Sequence, residues 1–184
     1  ETLMGHEVAG KTLGLIGIGH IGSRFAQIAT ALGMKVLAYD PHLTAKEIGA
    51  RQAQPVSLDA LLAQADIVSL HCPLNNETRN MFNADTFQAM KPGAIFISTA
   101  RGGIHNEADL HASLTNGHLA GAGLDVWRQE PPAADNPLLG HPGVVATFHT
   151  AGVSHEGRQN VARMAAGQIL LMAEGKTPPH VVTS

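Results

Sequence analysis

Three residues in this chain have side chains that could act together on a small acid, and each follows a short apolar run. In "GVVATFHTAG" the run ends at His149, and histidine is the side chain that most readily exchanges a proton near neutral pH. Arg101 follows "AIFISTA" and precedes Gly102-Gly103, where small residues leave space for a guanidinium to grip a carboxylate through paired hydrogen bonds. Glu130 lies in "LDVWRQEPP", where Pro131-Pro132 stiffens the chain beyond it. Taken singly, each has an ordinary explanation: a loop arginine with a surface partner, a solvated loop acid, and one of eleven histidines capping a strand end. Together they form a working set, with Arg101 for a carboxylate, His149 to exchange a proton, and Glu130 to orient and charge that histidine.

A fourth feature supplies a phosphate turn. "KTLGLIGIGHIGSRF" sets Gly17, Gly19 and Gly22 between a strand-like run and a helix-like run. In such a turn the first glycine allows the tight bend, the second lets backbone approach a pyrophosphate, and the third lets helix pack on strand. The helix N-terminus then offers free N–H groups and a partial positive charge. The spacing alone is weak in a chain with 20 glycines. Its setting strengthens it, because a second run, "KVLAYD", ends in Asp40. An acid there accepts hydrogen bonds from adenosine ribose hydroxyls and repels a 2′-phosphate, which favours NAD over NADP. His20 falls in the helix's first turn near phosphate, away from any proton transfer.

The elements that must position these residues alternate along the chain. Strands are predicted at Thr12–Gly17, Lys35–Tyr39, Asp66–His71, Ala94–Thr99, Leu119–Val126 and Gly143–Phe148, each short, apolar and bounded by turn formers. Helices are predicted at Ile21–Leu32, Ser57–Ala65, Asn106–Asn116 and about Ser154–Gly175. The first carries an apolar stripe at Ile21, Phe25, Ile28, Ala29 and Leu32, and the last one at Val161, Met164, Ala165, Ile169 and Met172. This order predicts an α/β protein, a Rossmann-type doubly wound parallel sheet with helices on both faces. Ligands of such sheets bind outside the strands' carboxyl ends, and Arg101, Glu130, His149 and the glycine turn all fall there.

Bulk composition narrows the function further. With 184 residues, 44% of them hydrophobic, the chain can build one well-packed domain. A net charge of −3 and scattered basic residues give no reason to expect nucleic-acid binding, and one Trp and one Tyr make no stacking platform. A single cysteine, Cys72, excludes an internal disulfide framework and fits a reducing, cytoplasmic setting. No signal-peptide pattern and no apolar run of about 18 residues point to a membrane. No paired Cys/His spacing or H-E-x-x-H supports a metal, and no G-x-S-x-G supports a serine hydrolase.

From about Gly5 to Gly175 the chain resembles the nucleotide-binding domain of the D-isomer-specific 2-hydroxyacid dehydrogenases. That family includes phosphoglycerate, glyoxylate/hydroxypyruvate and D-lactate dehydrogenases. The resemblance rests on "GHEVAGKTLGLIGIGHIG", "VLAYDP", "VSLHCPLNNETRNMF", "STARGGIHNEADL", "GLDVWRQEPP" and "FHTAGVS", in that order. It implies reversible hydride transfer between NAD(H) and a D-2-hydroxy acid/2-keto acid pair. Arg101 would bind the substrate carboxylate and carbonyl, and His149 would be the general acid/base. Glu130 would hydrogen-bond the imidazole and favour its protonated form. Cofactor contacts are implied at His20 and Ile21, at Asp40, at Cys72 and Thr78, at Thr99, Ala100 and Asp125, and at Ala151 and Gly152.

The resemblance also implies a homodimer. It implies an NAD-binding domain over residues 1–177 and an exit segment, 178–184, leading toward a substrate lobe that the chain does not contain. The opening Glu1, in place of Met, fits that expectation of an isolated cofactor domain, inactive or weakly active alone. Two positions depart from the family pattern: Phe148 stands where proline usually precedes the catalytic histidine, and His105 replaces an aliphatic residue and is read as incidental. Glu130, where relatives acting on formate carry glutamine, argues against that chemistry. Two other readings are an NAD-sensing regulatory or dimerisation module, as in the family's corepressors, and an NAD domain with unrelated chemistry. The retained Arg101/Glu130/His149 set weighs against both.

Overall fold

The computed structural model describes residues 5–179 and 181. They fall into two compact units that divide between His149 and Thr150. The first unit holds β1 (Thr12–Ile16), α1 (His20–Ala31), β2 (Lys35–Tyr39), α2 (Ala45–Ala50), β3 (Gln54–Pro55) and α3 (Leu58–Gln64). It continues through β4 (Ile67–Leu70), α4 (Ala84–Ala89), β5 (Ile95–Ser98), α5 (Glu107–Thr115), β6 (Gly121–Leu124) and β7 (Val144–Ala146). All seven strands are parallel, in the order β3-β2-β1-β4-β5-β6-β7. The order reverses direction between β1 and β4, the switch point at which α/β sheets bind ligands.

Alternate residues of each strand point to opposite faces, and the core accordingly lies in two layers. Leu13, Leu15, Val36 and Ala38 pack with Ala26 and Ala29 of α1 and Ile48 of α2. On the other face Leu37, Val68, Leu70, Phe96 and Leu124 pack with Leu61 and Leu62 of α3, Phe87 of α4 and Leu110 of α5. Helices thus cover both faces. In the first unit the helices after α1 start at capping side chains. Ser57 accepts from Ala60 N–H, Asn106 accepts from Ala108 and Asp109 N–H, and Thr44 closes a capping box with Glu47.

Several expectations need correction. Lys35–Tyr39 matches β2, but the other predicted strands run past the named strands, most of all Leu119–Val126, of which Gly121–Leu124 forms β6. Hydropathy marks what is buried, and buried turns on either side of a strand share that property. The sequence reading missed α2, β3 and α4, which are short; α2 buries only Ile48, and β3 is a two-residue edge strand containing a proline. The α1 stripe holds only in part: Ala29 is buried and Phe25 packs against the core, but the other three residues do not. Its buried face is Gly22, Ala26 and Ala29, while Ile21, Ile28 and Leu32 are exposed. Small residues win the buried side because the helix sits so close to the strand: a Cβ on Gly22 would lie 2.5 Å from the Gly17 carbonyl oxygen.

The second unit contains α6 (His155–Ala173), capped by Ser154 accepting from Gly157 N–H at 2.9 Å. The expected helix is there, but none of its residues is buried, and Val161, Met164, Ile169 and Met172 are exposed. Of the exit segment 178–184, His180 and residues 182–184 lie outside the described residues.

Candidate active site

The phosphate turn is built by contacts that leave no room for side chains at two of its glycines. Gly17 has φ +84°, and a Cβ there would lie 2.9 Å from the Cys72 backbone nitrogen. Gly22 is closed off by the Gly17 carbonyl, as above. Gly19 differs: it is the N-cap of α1 and nothing lies within 4 Å of its Cβ position. The helix carries no side-chain cap and no acid in its first turn, so its N–H groups face an open approach. His20 and Ile21 are exposed beside it. At the end of β2, Asp40 is oriented by two backbone donors, Ile18 N–H at 3.0 Å and His42 N–H at 3.1 Å.

Gly17, Gly19 and Asp40 line a cavity of about 570 Å³ with His71, Cys72, Thr78 and others. Burial pushes the Cys72 thiol up from its ordinary pKa, which favours the thiol over the thiolate. Thr78 serves the loop: its hydroxyl donates to the Pro73 carbonyl at 2.6 Å and accepts from Asn75 N–H at 2.9 Å. A second cavity, about 550 Å³, is lined by Ile21, Leu74, Thr99, Ala100 and Arg101, and it shares His71, Cys72 and Pro73 with the first. The two therefore run together along the carboxyl edge, one beside Asp40 and the other beside Arg101.

Arg101 is exposed and donates to the Ala100 carbonyl at 2.6 Å; among the described residues it has no ion pair. The space at Gly102 has another purpose than the one expected. A Cβ on Gly102 would lie 1.7 Å from the Trp127 carbonyl oxygen, so this glycine lets the loop after β5 pack on the loop after β6. That packing sets Arg101 beside the segment that carries Glu130.

Glu130 and His149 meet directly, with Oε2 and Nδ1 2.8 Å apart. The other carboxylate oxygen, Oε1, accepts from Trp127 N–H at 3.1 Å. The histidine and the Trp127 amide together hold the Glu130 carboxyl below the usual carboxylate range. An ionised carboxylate only accepts, so His149 Nδ1 must carry the proton, and Nε2 is left to exchange one. His149 itself has φ +57°, the left-handed region that a residue with a Cβ enters only at a cost of order 1–3 kcal/mol. Its N–H donates to the Asp125 carbonyl at 2.6 Å, which holds the turn.

Asp125, expected at the cofactor, is buried, and its carboxylate accepts from the Thr147 hydroxyl at 2.5 Å. Ala151 and Gly152 belong to the second unit and are exposed. Sequence reasoning missed Trp127 and Thr147, whose contacts surround the pair: the indole N–H donates to the Thr147 carbonyl at 2.9 Å. A hint was available, since the chain's single tryptophan sits three residues before Glu130 in the same motif. A larger cavity, about 840 Å³, is lined by Arg79, Glu107, Arg128 and Asp135, charges of both signs, and by none of the expected site residues. Among the described residues no cluster of His, Cys, Asp or Glu could hold a metal, and no helix is long and apolar enough to cross a membrane.

Comparison with known proteins identifies the family of the chain. Residues 1–151 match the family described as D-isomer specific 2-hydroxyacid dehydrogenase, NAD binding domain. The chain is 45% identical over 163 residues to the (S)-sulfolactate dehydrogenase of Chromohalobacter salexigens, covering 88% of this chain and 53% of that one. It is also 45% identical over 175 residues to the D-3-phosphoglycerate dehydrogenase of Bacillus subtilis, covering 94% and 33%. The chain thus spans from a third to about half the length of these relatives. The crystal structure of D-lactate dehydrogenase with NAD+ from Lactobacillus jensenii superposes with a TM-score of 0.91 at 35% identity, over 100% of this chain and 59% of that one. The chain belongs to the D-isomer specific 2-hydroxyacid dehydrogenase family and carries its NAD-binding domain.

Proposed function

We propose that the protein containing this chain is an NAD-dependent oxidoreductase that interconverts a D-2-hydroxy acid and its 2-keto acid. The observation that carries this reading is the 2.8 Å contact between Glu130 and His149 at the sheet's carboxyl edge. The residues present fit the cofactor, given the uncapped α1 N-terminus over open Gly19 and the oriented Asp40 carboxylate. His20, Ile21, Cys72, Thr78, Thr99, Ala100, Asp125, Ala151 and Gly152 complete the proposed contacts. NAD, when bound, accepts or supplies the hydride.

The chain's own residues do the rest. Arg101 grips the carboxylate with paired hydrogen bonds and so orients C2. In the oxidation direction His149 Nε2 takes the hydroxyl proton as C2 is oxidised; in reduction the imidazolium returns it to the carbonyl oxygen. Glu130 fixes the ring and stabilises the imidazolium that forms. The relatives named above act on different acids, so the side chain of the substrate is left to the residues that touch it.

Residues 1–177 form the cofactor domain in this reading, and 178–184 lead out of it. The protein is a cytoplasmic homodimer. Exposed Ile28, Leu32, Ile95 and Val145 supply apolar surface for association, and sedimentation velocity checks the mass. Turnover is tested on the polypeptide that contains this chain, with NADH and a panel of 2-keto acids. Consumption of NADH that His149→Ala abolishes supports the reading. NADH binding without turnover on any of them would replace it with an NAD-sensing module.

A further inference from the structure

We propose that Trp127, together with the Thr147 that it holds, positions the Glu130–His149 pair. The inference rests on the reading of His149 as the proton-exchanging group. Its basis is that one buried residue donates both of its N–H groups here, one to Glu130 itself and one to the Thr147 that precedes His149. The backbone N–H of Trp127 goes to Glu130 Oε1 at 3.1 Å, and the indole N–H goes to the Thr147 carbonyl at 2.9 Å. Trp127 is 2% exposed and packs in the larger core cluster. Its ring is therefore fixed by burial, and so is the direction in which it donates.

Thr147 is the other half of the clamp. Its backbone N–H donates to the Leu124 carbonyl at 2.8 Å and its hydroxyl to Asp125 Oδ1 at 2.5 Å, while its own carbonyl accepts the indole. Three hydrogen bonds thus hold the residue two positions before His149. That anchoring matters because the pair is exposed, with side-chain exposures of 50% for His149 and 37% for Glu130. Half of the imidazole faces solvent, and an exposed ion pair is a weak constraint by itself. The left-handed backbone at His149 is a second reason, since such a turn persists only where neighbouring contacts over-determine it. The rigidity of an otherwise solvent-facing acid/base comes from the buried indole and the Thr147 bonds beneath it.

The tautomer of His149 reads this directly, because Nδ1 carries the proton only while Glu130 stays aligned. Imidazole nitrogen NMR on the histidine-labelled chain, assigned with His149→Asn, should show the Nδ1–H form in the wild type. Trp127→Phe keeps the aromatic packing and removes the indole donor. Thr147→Val keeps the shape and removes the hydroxyl. Both should shift His149 toward Nε2–H, and Thr147→Ser should restore the Nδ1–H form.

NADH affinity should stay within about twofold in Trp127→Phe, since Trp127 lines neither cofactor cavity. In the polypeptide that turns over, kcat should fall by roughly 10- to 100-fold in the first two variants, as expected of a misplaced catalytic group, and recover in Thr147→Ser. A folded Trp127→Phe with an unchanged tautomer overturns the proposal. Should that variant not fold, an unchanged tautomer in Thr147→Val does the same. Absence of turnover in the wild type would sink the dehydrogenase reading, while the tautomer would still decide the role of Trp127.

Discussion

The two ends of the carboxyl edge are built by opposite means. At the cofactor end, shape is set by backbone against backbone: the Gly17 turn lies on Cys72 and α1 lies on Gly17, with no space for a methyl group. At the Glu130–His149 end, beyond the backbone contact of Gly102 with Trp127, the groups are held by side-chain hydrogen bonds, Glu130 to His149 and the Trp127 indole to the Thr147 carbonyl. The first arrangement cannot be altered without moving the fold. The second can be dismantled group by group while the sheet stays intact. Stability and chemistry should therefore separate along this edge, and substitutions can test how cleanly.

The largest loss of stability is expected at Gly102, which joins the two loops. Gly102→Ala puts a methyl 1.7 Å from the Trp127 carbonyl and should cost about 3 kcal/mol or more, read as a fall in denaturation midpoint. Gly22→Ala, 2.5 Å from a carbonyl oxygen, should cost about 1–3 kcal/mol and weaken NADH binding as α1 lifts from the turn. If either variant keeps wild-type stability, the close-packed description of the glycines is wrong.

A pH effect of similar size comes from the core. Burial pushes His105 down to about 4, and both of its ring nitrogens lack partners beside Phe96. Burial also pushes His71 down to about 4. With folded values below the ordinary 6.5, the unfolded chain takes up protons first as pH falls. Stability should be full above about 6.5 and decline between there and 4, by up to about 3 kcal/mol for His105 alone. Urea denaturation across that range should show the slope, and His105→Val should remove part of it while raising stability at pH 7 by about 1 kcal/mol or more. A flat profile in the wild type would contradict the buried, neutral histidines.

The smallest effect on stability, and the largest on chemistry, is expected at the exposed pair. Glu130→Gln and His149→Ala should change stability by no more than about 1 kcal/mol and leave NADH affinity nearly unaltered. Turnover should fall by about 100-fold or more in His149→Ala. Unfolding of either variant would merge the two regions that the structure keeps apart.

Much of this was legible in the residues. Turn formers around apolar runs place β1, β2, β4, β5, β6 and β7, because a strand buried on both faces must be apolar and short. The same signal was silent for α2 and β3, which bury almost nothing, and it misread α1. Periodicity counts bulky residues, while contact with the sheet there demands small ones, so of the stripe Phe25 and Ala29 face the core while Ile21, Ile28 and Leu32 stand exposed. Gly102-Gly103 was read as room for a ligand, and Gly102 proves to be room for the Trp127 carbonyl.

The sequence alone determined which chemistry was available. Arg101, Glu130 and His149, and a glycine turn followed by Asp40, are local patterns whose residue types and strand-end settings are read along the chain. Only the tertiary structure decided how those groups are held. Trp127 lies 20 residues from Thr147 and Glu130 lies 19 from His149, and they become partners only when β6 and β7 pair. Hydrogen bonds between separate loops depend on distances that the folded sheet sets, and no pattern of residue types encodes them locally.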